Sequence, residues 1–505
     1  MGLLKKLVGQ SAIYGVSSIL GKSINFLLVP LYTGYLPKED LGSFTMLYAM
    51  IAFLNVIFTF GMETTYFRFS TGKGLDPKVV FQNAQSLVAV VGLSLGAILF
   101  LFAENISLLF EYEGKAHLFQ WAAMILTIDA LMALPFARLR LDGRSLTFAL
   151  LKLLNIFLNV GFNILFIVVA YHIVEGDILQ ILNPVVSEWY KPDWGVDYIL
   201  LANLLANLLI LPILWKLAGQ WKFQLKRTIL LPMWKYALPL LFMGLAGVTN
   251  EVFSRGLFEY ALPEGFYPGL TSREAGGVFG ANFKLAILMS LIIQAFKYAA
   301  EPFFFQQSEN KNNPLLFARV MHWFIIFCAF LMVTVAVNLR LIGALFFQAD
   351  GYASALPMVP VLLMGYLLLG VYYNLSIWFK ITDQTRYSFY ITLVGAIVTV
   401  IIILTLVPVL GYMGGALSTL ASYLVMVLLC YFIGQKYYPI PYQTKRDISY
   451  LLIAFLLSYA GFLLDTGSML VNFILHSGII LSYGGLIFLL EKKELSSFLK
   501  SISKK

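Results

Sequence analysis

Apolar stretches long enough to cross a bilayer recur along the whole of this sequence, and charged residues fall in short clusters between them. From Arg386 to Lys436 no Asp, Glu, Lys or Arg intervenes, and that stretch holds two such runs, 388–410 and 412–432. A spanning helix needs about 20 mostly apolar residues. Of the 505 residues 60% are hydrophobic and 12% charged, against roughly 45–50% apolar and about 25% charged in soluble domains. A water-soluble fold is thereby excluded, and little chain remains for a soluble catalytic module.

Runs bounded by charge and turn clusters place spans near 10–32, 41–64, 81–102, 118–136, 146–170 and 198–217. A second set follows near 235–262, 276–299, 320–346, 356–378, 388–410 and 412–432, then 448–464 and 469–490. The expected fold is all-α and polytopic, with about 14 transmembrane helices. Six belong to residues 1–228, six to 229–434, and two more, with a basic tail, to 435–505.

The first run starts with Lys5 and Lys6 as a signal peptide would. It is long, interrupted by Lys22 and Asn25, and lacks a small-residue cleavage pattern, so it is expected to stay as a helix. The odd-numbered connections hold only Lys38, Lys115, Lys191 and Arg273 among many carboxylates. Most of the 35 Lys and Arg lie in the tails and even-numbered connections, which puts both termini in the cytoplasm. The net charge of +9 thus follows bilayer sidedness and calls for no nucleic acid. The basic end, 491–505, is expected to face lipid headgroups.

The two sets contain an internal repeat. Residues 21–37 read against 247–263, with Gly21 on Gly247, Asn25 on Glu251, and Leu36-Pro37 on Leu262-Pro263. After a longer loop in the second copy, Glu39 to Phe44 reads against Glu274 to Phe279. Repeats of this kind place transporter sites at the repeat interface.

A charge near the bilayer centre costs at least about 2.5–3.5 kcal/mol, so each one should face a bundle interior or a hydrated cavity. On the first span Tyr14, Ser18, Lys22 and Asn25 share one helical face. On the seventh, Gly247, Glu251, Arg255 and Glu259 recur every four residues, and the repeat lays one stripe on the other. Lys284 and Asp129 are also deep. Two readings stand for the seventh span: an ion-pair ladder that locks packing, or part of a cavity whose cations suit an anionic group such as a diphosphate. Pro30, Pro239, Gly244 and Gly247 are hinges or ordinary kinks.

Other signals fail. Gly15 to Ser23 resembles a phosphate loop but has five residues between its glycines where four are needed, inside a span. The GxxxG patterns at 92–96, 276–280 and 411–415 read as close helix packing. His117, His172, His322 and His476 lack metal spacing, and no cofactor is expected. Cys328 and Cys430 read as packing residues. The connection 171–197, with Trp189, Tyr190, Trp194 and several carboxylates, is either a sugar contact or an interfacial aromatic belt.

The order of Ser11-Ala12-Ile13-Tyr14-Gly15, Leu28-Val29-Pro30-Leu31-Tyr32-Thr33, Leu41-Gly42-Ser43-Phe44 and Gly61-Met62-Glu63-Thr64-Thr65-Tyr66-Phe67-Arg68-Phe69 resembles the bacterial polysaccharide-biosynthesis flippases of the multidrug/oligosaccharidyl-lipid/polysaccharide exporter superfamily. The resemblance implies two six-helix lobes around a central cavity and alternating access. The cargo it implies is an undecaprenyl-diphosphate-linked oligosaccharide, moved from the cytoplasmic to the outer leaflet of the bacterial inner membrane.

The related lipid II flippases have cavity arginines on their first helices and their eighth. Here Lys22 and Lys284 stand in comparable helices as lysines, with Arg255 on the seventh. The drug-exporting branch commonly carries an acidic residue on its first helix, which Lys22 and Asn25 do not reproduce. The expectation is therefore a transporter, not an enzyme, with Lys22, Asn25, Arg255 and Lys284 on the substrate. Glu251, Glu259 and Asp129 are expected to serve a coupling H+ or Na+ site or ion pairs. Partners beyond the cargo would be membrane lipids and polysaccharide-assembly proteins. The rivals are a cation-coupled multidrug exporter, a membrane glycosyltransferase or polymerase with catalytic outer-loop carboxylates, and a non-transporting scaffold.

Overall fold

The computed structural model describes residues 28–71, 75–219, 221–307, 313–382, 384, 386–464 and 466–502. Among them no strand occurs, and 13 helices are long and apolar enough to cross a membrane. The expected first span falls mostly outside the described residues, and the protein is a multi-pass membrane protein.

Local sequence sets the helix ends. Helix α1 (Val29–Tyr35) stops at extended Leu36, and Pro37 starts α2 (Lys38–Thr59), whose first turn carries Glu39 and Asp40 against the positive end of the helix dipole. Helix α3 (Pro77–Leu101) is capped by Asp76, which accepts from the Lys78 amide at 2.9 Å, with Pro77 in the first turn. Then come α4 (Ala116–Leu141), α5 (Ser145–Ile164) and α6 (Gly195–Ala218).

Helix α7 (Arg227–Val248) runs through a π-helical turn, Thr249–Phe253, into α8 (Ser254–Ala261). Helices α9 (Ser272–Gln307), α10 (Asn313–Val337), α11 (Val359–Leu375), α12 (Arg386–Leu410), α13 (Tyr412–Tyr437), α14 (Thr444–Leu463) and α15 (Met469–Ile502) follow.

Helices α3, α4, α6 and α5 pack in series, as do α7, α12, α13, α11 and α9. Helix α11 is apolar all round and buries every residue except Tyr373, which marks it as the interior of the second group. By contrast α12 leaves Tyr390, Val394, Ile397, Ile401 and Leu404 exposed. Their spacing of three to four residues puts them on one face, suited to acyl chains. Both cysteines are free and buried.

The two groups meet along α2 and α9, and the crossing uses the repeat. A Cβ built on Gly42 would strike the carbonyl oxygen of Arg273, and one on Gly277 would strike that of Lys38. Gly280 likewise presses on the Thr45 hydroxyl. The repeat register pairs Lys38 with Arg273, Gly42 with Gly277 and Thr45 with Gly280, so the contacts are reciprocal. The described parts of the two repeat hairpins also end alike, α1 at Leu36-Pro37 and α8 at Leu262-Pro263.

Helices α14 and α15 pack on α10 around a buried charge cluster. His322 of α10 sets Nδ1 2.5 Å from Asp447 Oδ1 of α14 and Nε2 3.1 Å from Glu491 Oε1 of α15. Each ring nitrogen thus faces one carboxylate. Glu491 also accepts from the Tyr450 hydroxyl at 2.7 Å and pairs with Arg446 at 2.8 Å.

Candidate functional site

A cavity of about 420 Å³ opens between the two groups, beneath the glycine crossing. Its walls differ in chemistry. On one side Arg255 of α8 and Lys284 of α9 line it; on the other stand Asn155 and Asn159 of α5 and Asn203 of α6. Tyr32, Phe44 and Tyr48 form the roof from α1 and α2.

The cations rest on aromatic faces, which attract positive charge through the ring quadrupole. Lys284 Nζ lies 4.3 Å from the Phe44 ring centre and 5.3 Å from that of Tyr32, and Arg255 Cζ lies 4.7 Å from that of Phe283. Arg255 is also the charged neighbour of Lys284. Among the described residues no Asp or Glu lines the cavity, and no ion pair to a carboxylate is formed by Lys284.

The opposite wall is a hydrogen-bonded network. Asn155 donates to Asn207 Oδ1 at 2.8 Å, and Asn207 donates to Asp129 Oδ1 at 2.9 Å and Asn203 Oδ1 at 3.1 Å. Asn203 in turn donates to the Tyr48 hydroxyl at 3.0 Å. Nearby the Tyr32 hydroxyl donates to Asn163 Oδ1 at 3.0 Å, and Asn163 donates to Asn159 Oδ1 at 3.1 Å. Amides carry donors and acceptors together, so such a wall matches sugar hydroxyls as well as water.

The expected site residues are thus only partly assembled. Arg255 and Lys284 share the cavity. Lys22 and Asn25 lie outside the described residues, as does the side chain of Glu251. Asp129 does not line the cavity but stands behind Asn207, with Lys152 as its charged neighbour.

Of the stripe expected on the seventh span, Arg255 lines the cavity and Glu259 does not. The π turn at 249–253 contains Glu251 and follows an i to i+5 pattern, which rotates the residues after it away from an α-helical register. Glu259, buried to 8% side-chain exposure, turns to Arg273, whose Nε lies 2.9 Å away. Arg273 also donates to the Glu111 carbonyl at 3.0 Å, and its guanidinium lies 4.0 Å from the Tyr112 ring centre. This clasp sits at the Pro37 and Pro263 end, away from the cavity. The asparagine wall escaped the sequence reading, although Asn155, Asn159 and Asn163, like Asn203 and Asn207, recur every four residues. Among the described residues no group of His, Cys, Asp and Glu is arranged to hold a metal ion.

Residues 35–188 match the family model described as polysaccharide biosynthesis protein. The fold is shared with the lipid II flippase MurJ in an inward closed conformation, at TM-score 0.67 and 13% identity, over 94% of this chain and 98% of that one. It is shared too with an inward-facing multidrug resistance MATE family transporter of the MOP superfamily, at TM-score 0.61 and 14% identity, over 82% and 95%. No curated protein matches the sequence. Residues 35–188 are thus similar to the polysaccharide biosynthesis family, and the chain as a whole shares the fold of these two transporters.

Proposed function

We propose that the protein is a flippase that moves a lipid-diphosphate-linked oligosaccharide across the bacterial cytoplasmic membrane for cell-surface polysaccharide biosynthesis. The observation that carries this reading is the cavity itself: Arg255 and Lys284 on one wall, amides on the other, and no carboxylate among its described lining residues. Guanidinium grips phosphate oxygens bidentately and ammonium acts as a point charge, so the diphosphate lies on the cationic wall, joined by Lys22 from the first span. The glycan takes the asparagine wall, and the prenyl chain stays in lipid. The polysaccharide biosynthesis match supports the cargo class.

Transport by alternating access requires the two lobes, 1–228 and 229–434, to rock about the α2 and α9 crossing. With both termini cytoplasmic, the Pro37 and Pro263 turns face outward and the crossing closes the outer end. No bond is made or broken.

The test replaces Lys284 by Gln and Arg255 by Gln, with membrane levels checked by immunoblot. Each is expected to lower surface polysaccharide at least tenfold while the lipid-linked precursor accumulates on the cytoplasmic side, and Lys284→Arg is expected to retain export. Unchanged export in both Gln variants refutes the anion clamp. The MATE likeness keeps a rival in view, an exporter of amphiphilic cations. Drug efflux that persists in the Gln variants would favour it, although two cavity cations oppose such cargo.

A further inference from the structure

The connection between the spans Ser145–Val174 and Gly195–Ala218 carries an amphipathic stretch of its own. A 3₁₀ turn, Gln180–Leu182, leads into a short helix, Asn183–Trp189. At 3.6 residues per turn, Ile181, Leu182, Val185 and Trp189 share one arc of about 100°. Gln180, Asn183 and Ser187 lie across from it, and Glu188 stands at its border. The apolar arc is bare: Ile181 is 87% and Val185 61% exposed, and Leu182 and Trp189 are exposed beside them. A face of this kind belongs to a helix lying in a bilayer interface or to a docking site, and its depth decides between them.

The neighbouring spans give that depth. Phe166 of one and Tyr198 of the other stack with ring centres 5.5 Å apart, so the two spans are level there. Val174 stands eight residues, about 12 Å, beyond Phe166, whereas Gly195 stands three residues, about 4.5 Å, beyond Tyr198. The first span therefore protrudes past the start of the second, and the chain between them comes back down along it.

Both ends of this descent are fixed. Asn183 donates to the carbonyls of Ile173 at 2.9 Å and Val174 at 3.1 Å, which satisfies open groups at the end of the protruding helix. Below, the Trp189 ring meets Phe166 edge-on at 6.1 Å. The chain then reverses at Lys191, whose amide donates to the Tyr198 hydroxyl at 2.7 Å and whose carbonyl accepts from it at 3.2 Å. A reversal beside hydrocarbon needs its backbone groups satisfied in this way.

We infer that residues 180–189 form an interfacial arm laid against the leaflet on the Pro37 side, the outer leaflet in the orientation given above, with Ile181, Leu182, Val185 and Trp189 set into the boundary between headgroups and acyl chains. The arm descends to the level of Tyr198, one helical turn inside its span, where an indole ring is at home. Its apolar arc continues the exposed Phe157, Ile164 and Leu165 of the span it descends along. No Lys or Arg occurs between Tyr171 and Tyr190, so apolar area holds the arm in place, and charge attraction to anionic headgroups does not. The arm is also tied to α1: Asp177 Oδ2 lies 2.8 Å from His172 Nδ1, and His172 Nε2 lies 3.0 Å from the hydroxyl of Tyr35. Helix α1 carries Tyr32 of the cavity roof, so the hold on the leaflet reaches the transport pathway. The assignment does not depend on the cargo.

The experiment attaches a nitroxide to the full-length protein in nanodiscs at Ile181→Cys, Val185→Cys and Ser187→Cys, one position at a time. The unsubstituted chain, whose two cysteines are buried, gives the blank. Electron paramagnetic resonance then compares relaxation by oxygen, which concentrates among acyl chains, with relaxation by a water-soluble nickel chelate. The oxygen-to-nickel ratio is expected to be at least tenfold higher at the Ile181 and Val185 positions than at Ser187, in phosphatidylcholine and phosphatidylglycerol discs alike. Equal access of nickel to all three positions overturns the inference and puts the apolar arc in water. Exclusion of both reagents from the Ile181 and Val185 positions overturns it by placing the arc against protein. Oxygen dominance at Ser187 as well overturns it by sinking the whole arm into the acyl layer, and a contrast confined to phosphatidylglycerol discs overturns the apolar attachment.

Discussion

A Cβ built on Gly277 would sit 2.8 Å from the amide nitrogen of Gly42, so two equivalent positions of an internal repeat touch backbone to backbone where α2 crosses α9. Neither glycine can be enlarged without moving a helix, because the atoms in the way are main-chain. Gly277→Val is expected to cost about 1–3 kcal/mol, the usual range for overpacking, and to part the helices at this end. Thermal melting in detergent reads the first effect. Loss of disulfide cross-linking between cysteines placed at Thr45 and Gly280 reads the second; undiminished cross-linking would show that the crossing does not depend on glycine.

Arg273 is the counter-ion of buried Glu259. Removing one partner of a buried pair strands the other charge, at a cost of about 3–5 kcal/mol when both are fully buried. Arg273 keeps 18% side-chain exposure, so Arg273→Ala is expected to cost about 2–3 kcal/mol. Adding Glu259→Gln should recover more than half of the loss in melting temperature, and a strictly additive double variant would show the two to be uncoupled.

Asn207 joins Asp129, Asn203 and Asn155 in one network. Hydrogen bonds between membrane helices average only about 0.6 kcal/mol, so Asn207→Leu is expected to lower stability by about 1–2 kcal/mol, since several bonds go at once. Export should fall further than stability, because the wall facing the cations loses its order. Export at the wild-type rate, with protein levels matched, would separate the network from transport.

His322 bridges two carboxylates from other helices. His322→Leu strands buried Asp447 and leaves Glu491 with Arg446 and Tyr450 alone, and a loss of about 3–5 kcal/mol is expected. The triple variant with Asp447→Asn and Glu491→Gln should melt nearer to wild type. A triple variant no more stable than His322→Leu would mean that shape, not charge, holds the three helices.

The spans were legible because hydrocarbon demands long apolar runs and tolerates charge only between them; Gly195–Ala218 and Arg386–Leu410 lie within a few residues of their expected bounds. Lys284 and Arg255 were legible for the same reason, as charges set in apolar surroundings. The asparagine wall was less so, since a neutral amide interrupts a hydropathy pattern weakly and shows only in its spacing of four.

Long-range pairings left no local trace. The partners of His322 lie 125 and 169 residues away, and Arg273 read as an ordinary connection charge until the fold set it beside Glu259. The π turn at 249–253 was hidden as well. A turn of that kind depends on what packs around the helix, and it shifts the register of Arg255 and Glu259 relative to Gly247.

The charge cluster around His322 also dictates an order of biogenesis. The final hairpin carries Asp447 and Glu491, and the imidazole that both of them meet, His322, is held by a helix synthesised more than a hundred residues earlier. Released alone into lipid, the hairpin would still pair Glu491 with Arg446 but would carry one bare carboxylate, Asp447, an expensive state. Its residence in the membrane is therefore conditional on α10 already waiting beside the insertion machinery, and a ribosome stalled before the last helix would leave that imidazole with half its partners.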